Sequence, residues 1–164
     1  MTVSNVAMKN ISNTAKEAEQ ESVYSIGTVA RMLQVSVQLL RLYEKEGLIL
    51  PLRSEGKQRL YSESDILRIR CIISAIRDEK MTIASIQRIQ SFIPCWKMQN
   101  CREQDRLACP AFSTAGKPCW SMKMNVNACG VESCRQCNVY VRSSDCTTIK
   151  QFIIDATMAE SPSQ

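Results

Sequence analysis

Apolar residues at helical spacing through the first half, a change of register around "SEGK", and eight of nine cysteines crowded behind Pro94 predict a mainly α chain in two parts. The first part is a winged helix-turn-helix, and the second is a small irregular cysteine-rich domain stabilised by metal. The expected divisions are a flexible tail at 1–22, the winged unit at 23–91, the cysteine-rich unit at 92–146, and a short helix and tail at 147–164.

The first 22 residues are polar and hold too few apolar side chains to pack. In "YSIGTVARMLQ", Ser25 is a helix N-cap, and Ile26, Val29, Ala30 and Leu33 make one apolar face. "VSVQLLRLYEKEGLI" repeats the pattern, with Ser36 as cap, Val37 and Leu40 one turn apart, and Gly47 as the stop. Two short helices joined by a few residues make a helix-turn-helix. "LILPLRSEGKQRLYSESD" then reads as a small hairpin with basic tips. "SESDILRIRCIISAIRDEK" returns to the helical period, with Ile66, Ile69, Ile73 and Ile76 on one side and Arg68, Arg70 and Arg77 elsewhere. Cys71 in this helix reads as a packed core cysteine. Thr82 caps a further helix with Ile83, Ile86 and Ile89 inward.

Between 95 and 146 the periodicity disappears and Cys, Pro and Gly dominate, so the segment needs staples to keep a shape. Trp96 and Trp120 are expected to pack its small core. Helical spacing resumes at Ile149, Phe152, Ile153 and Ala156.

Charge and composition narrow the function. The net charge is +5, and residues 23–91 carry eleven Lys and Arg against seven Asp and Glu, so +4 of it lies there. A modest basic excess suits a polyanion. There is no histidine, no Walker-type glycine loop and no placeable nucleophile with a carboxylate pair, so no enzyme is expected. No apolar run reaches the length of a membrane span or a signal peptide, which points to a cytoplasmic protein without membrane contact. In a reducing compartment, clustered cysteines favour metal or redox chemistry over structural disulfides.

The order I-G-x-x-A, V-S-V-x-x-L-R-x-Y-E-x-E-G-L-I and R-L-Y-S-E-x-D-I over residues 24 to about 91 resembles the DNA-binding domain of the MerR family of bacterial transcription regulators. The resemblance implies a homodimer that binds double-stranded, palindromic promoter DNA and distorts it, altering the access of RNA polymerase. Gln38 and Arg41 would face the major groove, and Arg41, Tyr43, Arg53, Lys57, Arg59 and Tyr61 would form a row of phosphate donors. Gln38, Leu39 and Leu42 stand where many relatives carry Arg, Thr and Tyr, so one basic and one phenolic contact are missing. The long dimerisation helix usual in the family is not evident between 92 and 146.

Cys95, Cys101, Cys109, Cys119, Cys129, Cys134, Cys137 and Cys146 are the candidate metal ligands. Without histidine, a tetrahedral site must be all-cysteine unless carboxylate or water intervenes, and eight thiolates suffice for two such sites. Cys129, Cys134 and Cys137 form the densest run, C-x4-C-x2-C. It fits neither ferredoxin spacing nor a zinc ribbon. The repeated "CW" at 95–96 and 119–120 and the closing C-x2-C resemble the "two-CW" segments of some bacterial proteins, over residues 95–140. The expected cofactor is an iron-sulfur cluster or zinc in a redox or metal sensor. A structural zinc module, an electron-transfer or metal-handling protein, and a disulfide or thiol switch are the alternatives.

Overall fold

The computed structural model describes residues 23–99, 101–114, 116–122, 133–147 and 149–158. The expected tail at 1–22 and the candidate ligand Cys129 lie outside the described residues.

Strand β1 (Tyr24–Ser25) leads into α1 (Ile26–Met32) and α2 (Val37–Lys45), followed by β2 (Leu52–Arg53) and β3 (Arg59–Tyr61). The three strands form one antiparallel sheet in the order β1-β3-β2, with Leu52 opposite Leu60 and Arg53 opposite Arg59. Both helix starts fall at the expected serines: Ser25 Oγ accepts from the Thr28 N–H, and Ser36 Oγ accepts from the Leu39 N–H.

The end of α2 is a Schellman turn. Gly47 has φ +72°, the Leu48 N–H donates to Tyr43 O at 2.9 Å, and the Gly47 N–H donates to Glu44 O at 2.9 Å. This reverses the chain and buries Leu48 and Ile49 beside Val29, Leu40 and Tyr43.

Helix α3 (Glu63–Arg77) opens with a capping box between Ser62 and Asp65, and α4 (Ile83–Ser91) is capped by Thr82. Ile66, Ile69 and Ile72 of α3 enter the main core, while Ile73 and Ile76 pack at its margin. On α4, Ile86, Gln87 and Gln90 turn inward and Ile89 is exposed, contrary to the all-isoleucine face expected. Gln87 Nε2 donates to Glu46 O, which accounts for the inward amide.

The cysteine-rich part is built of single turns: α5 (Cys95–Met98), α6 (Glu103–Leu107), α7 (Pro110–Ser113), a 3-10 turn at Cys119–Met122, another at Cys134–Gln136, and α8 (Asn138–Arg142). Helix α9 (Ile149–Met158) follows at the expected place, and Lys97 Nζ of α5 donates to Thr157 O on it. The side chains of Ile149, Phe152 and Ala156 lie outside the described residues. Ile93, Trp120, Cys137, Val139 and Tyr140 form a second core, against which Leu50 and Cys134 pack.

That second core sits on the winged unit. Trp120 Nε1 donates to Gly47 O at 3.0 Å, and the Leu50 N–H donates to Tyr140 Oη at 2.8 Å. Arg68, placed by periodicity away from the apolar face, is instead 2 % exposed. Its guanidinium lies 3.9 Å from the Tyr140 ring centre and donates to Tyr140 O. Burial pushes its pKa down, and its Nε and Nη1 have no hydrogen-bond partner among the described residues.

Two thiols also depart from expectation. Cys71 is no inert core residue: it forms a disulfide with Cys146, which therefore leaves the set of available ligands in this state. Helical period cannot foresee a partner 75 residues away.

Candidate nucleic-acid interface and cysteine pocket

Capping by Ser36 fixes the phase of α2, so Leu40 and Tyr43 point into the core while Gln38 and Arg41, one turn apart, stand exposed. Lys57 is exposed at the tip of the wing, in a turn closed by its own N–H donating to Ser54 O at 2.8 Å. Arg53 and Arg59 both bind the carboxylate of Glu44, Arg53 through Nη2 and Arg59 through Nε. Glu44 thereby ties the wing to α2 and sets the direction of both arginines. A guanidinium has five N–H donors, so these contacts leave donors able to reach phosphate.

Tyr43 and Tyr61 do not occupy the surface that a phosphate donor needs. They are 2 % and 0 % exposed and belong to the core. Burial raises both phenols, Tyr61 to about 12. Of the six residues expected to form a row of phosphate donors, Arg41, Arg53 and Lys57 are exposed and Arg59 is half-buried, while the two tyrosines are packing anchors beneath them.

The second site is a pocket walled by Cys95, Cys101, Cys109, Cys119 and Cys137 together with Trp96, Phe112 and Val139, with Gln99 and Arg106 as its polar members. Trp96 and Phe112 meet edge to face at 5.1 Å and hold α5 against α7. Gln99 Nε2 lies 3.0 Å from Cys137 Sγ, placed to donate to it. A hydrogen bond from Cys119, against the effect of burial, brings the pKa of the Cys95 thiol down to about 7. Burial pushes the Cys101, Cys134 and Cys137 thiols up, with neighbouring sulfurs adding to the rise.

Of the two described cysteines of the dense C-x4-C-x2-C run, Cys137 lines this pocket and Cys134 does not; four further sulfurs of the wall come from the more widely spaced cysteines upstream. The donor set is all sulfur, which suits a soft metal. A zinc ion bound at about 2.3 Å would draw its four sulfurs to about 3.8 Å from one another. Among the described residues, no three of the pocket sulfurs lie within 4.8 Å of each other; the one group that does is Cys71, Asp145 and Cys146.

Arg135 gave no signal in the sequence beyond its place between Cys134 and Cys137, yet among the described residues it makes the most extensive polar contact between the two parts. It donates to both carboxylate oxygens of Asp65, at 3.0 and 2.7 Å, to Ser62 Oγ at 3.1 Å, and to Leu50 O. Asp65 is 2 % exposed, so this pair is shielded from water.

The model of the MerR HTH family regulatory proteins matches residues 24–92. HspR of Streptomyces coelicolor, a heat shock protein by name, is 35% identical over 77 residues, 47% of this chain and 51% of that protein. The HTH-type transcriptional regulator ZntR of Escherichia coli K12 is 37% identical over 70 residues, 42% of this chain and 49% of that protein. The HTH-type transcriptional regulator GlnR of Bacillus anthracis is 30% identical over 67 residues, 41% of this chain and 51% of that protein. The chain thus spans about half the length of these curated relatives. No solved structure matches it. Among the described residues, no helix is long and apolar enough to cross a membrane. Residues 24–92, with their capped helices, Schellman reversal and three-stranded sheet, are the part of the chain that is similar to the MerR family of helix-turn-helix regulatory proteins.

Proposed function

We propose that the chain is a DNA-binding transcription regulator that acts as a homodimer on duplex promoter DNA, and that its cysteine pocket holds a metal centre whose state alters that binding. Gln38 and Arg41 of α2 address the major groove, while Arg53, Lys57 and Arg59 contact phosphates. Altered DNA geometry changes the access of RNA polymerase.

The observation that carries the sensing half is the grouping of five thiols around one pocket in a unit seated on the base of the wing. An all-sulfur donor set without histidine suits a soft centre, an iron-sulfur cluster or zinc, and the iron-sulfur reading is the one put to the test below. Cys95, Cys101, Cys109, Cys119 and Cys137 would supply its ligands. Cys95 is half ionised near neutral pH, so it is ready to bind without a large proton cost. The Gln99 amide would hydrogen-bond the Cys137 sulfur, a contact of the kind that tunes a cluster's potential. When bound, a cluster supplies sensitivity to oxidants and iron supply through its charge and its presence.

Anaerobic purification with iron, zinc and acid-labile sulfide analysis, followed by footprinting on the duplex upstream of the coding region, tests both halves. The expected protein is brown, loses its iron in Cys95→Ser/Cys119→Ser, and protects DNA with a steep salt dependence. Arg41→Ala should weaken binding to all duplexes and leave the metal content unchanged. A folded, metal-free protein that binds DNA normally would refute the sensing half, and absence of any footprint would refute the regulatory half.

A further inference from the structure

The wing's own ladder is short: β2 and β3 share two residue pairs, Leu52 with Leu60 and Arg53 with Arg59. Its direction therefore depends on what holds its base. Leu50 precedes the hairpin, and both of its backbone groups are bound by the cysteine-rich part: its N–H donates to Tyr140 Oη, and its carbonyl accepts from Arg135 Nη1. Ser62 follows the hairpin at once, and its Oγ accepts from Arg135 Nη2. One guanidinium thus ties together the incoming and outgoing ends of the wing. The forked pair with Asp65, at the first turn of α3, fixes the orientation of that guanidinium.

The same residue is fastened to the pocket. Arg135 lies in the 3-10 turn Cys134–Gln136, and the Cys137 N–H closes that turn onto Cys134 O at 3.2 Å. Cys137 Sγ is part of the pocket wall. A sulfur that changes position when the pocket loads or empties is therefore two residues from the group that clamps the wing. A single turn has little slack to absorb that displacement.

We propose that Arg135, assisted by Tyr140, is the positioning residue through which the state of the cysteine pocket sets the direction of the wing and so the affinity for DNA. This rests on the reading of the pocket as a metal centre. A passive staple would hold the wing equally in both states, whereas a coupling residue makes the two states differ.

The test uses the full chain, once reconstituted with ferrous iron and sulfide and once stripped with a chelator. Affinity for the duplex upstream of the coding region is measured by anisotropy, and amide exchange is followed over residues 50–62. For the wild type, the loaded and stripped forms should differ by about tenfold in affinity, within the usual range of allosteric coupling, and in exchange over the wing. Arg135→Gln and Tyr140→Phe should take up iron and sulfide as the wild type does, yet reduce that ratio to about twofold or less. Tyr140→Phe keeps the ring that packs against Trp120 and Arg68, so it remains informative if Arg135→Gln does not fold. Variants that load normally and keep the full ratio would overturn the coupling alone. A variant that loses its iron together with the ratio would also overturn it, making the residue a support of the pocket. A wild type without any difference between states would remove the sensing reading as well.

Discussion

Replacing Gly47 by alanine probes the seat of the cysteine-rich part on the winged unit. Two penalties of different origin meet at this residue. Its φ of +72° is a left-handed conformation, which costs a residue bearing a Cβ about 1–2 kcal/mol. The added carbon would also stand 2.4 Å from Ser121 Cβ and 3.0 Å from Ser121 Cα, in the 3-10 turn that carries Trp120. Overpacking of that kind costs about 1–3 kcal/mol, so Gly47→Ala should lose about 2–5 kcal/mol in all. Urea unfolding of Gly47→Ala, Ser121→Gly and the double variant separates the two terms. Ser121→Gly removes the clashing Cβ but leaves the backbone conformation of residue 47 unchanged. The cycle should therefore give a favourable coupling of about 1–3 kcal/mol, with Gly47→Ala costing about 1–2 kcal/mol when made in the Ser121→Gly background. Additive variants would mean that the two turns do not meet, and the reasoning that joins the two halves would fail.

Three further perturbations address separate contacts. In metal-free protein, Cys95 should be alkylated with a midpoint near pH 7, because Cys119 hydrogen-bonds its thiolate; Cys119→Ala should move that midpoint upward, and an unmoved midpoint would break the assignment. The depressed Cys95 value also means that its contribution to stability is fully present above the ordinary thiol range and is lost as pH falls through about 7, a trend that pH-dependent urea melts of the metal-free chain would show. Trp120→Phe removes the donor to Gly47 O and leaves that carbonyl buried without it, which should cost about 1–3 kcal/mol in the same melts. Cys71→Ser opens a cross-link spanning 75 residues and should lower stability under non-reducing conditions by about 4 kcal/mol on loop entropy, with identical melts refuting the cross-link.

Much of residues 24–92 is legible in the sequence because its signals are local. Ser25, Ser36 and Thr82 cap helices within their own first turns, and Gly47 ends α2 through bonds spanning five residues or fewer. Such choices are settled by backbone geometry and by side chains a turn away. Exposure of Gln38 and Arg41 follows from the phase of α2, which the apolar positions set.

The sequence by itself determined the helix starts, the reversal at Gly47 and the supply of thiols without histidine. Tertiary structure alone decided which thiols share a pocket, that Cys71 and Cys146 join, and that Arg68 is buried under Tyr140. It also decided that Tyr43 and Tyr61 are anchors and that Arg135 binds Leu50 O and Ser62 Oγ at the base of the wing while paired with Asp65. The reason is range. Arg135 and Asp65 are 70 residues apart and Trp120 and Gly47 are 73 apart, so neither contact leaves a periodic trace in either segment. Single-turn helices bury too little apolar surface to announce their own packing, and their arrangement is fixed only when they close over the base of the wing.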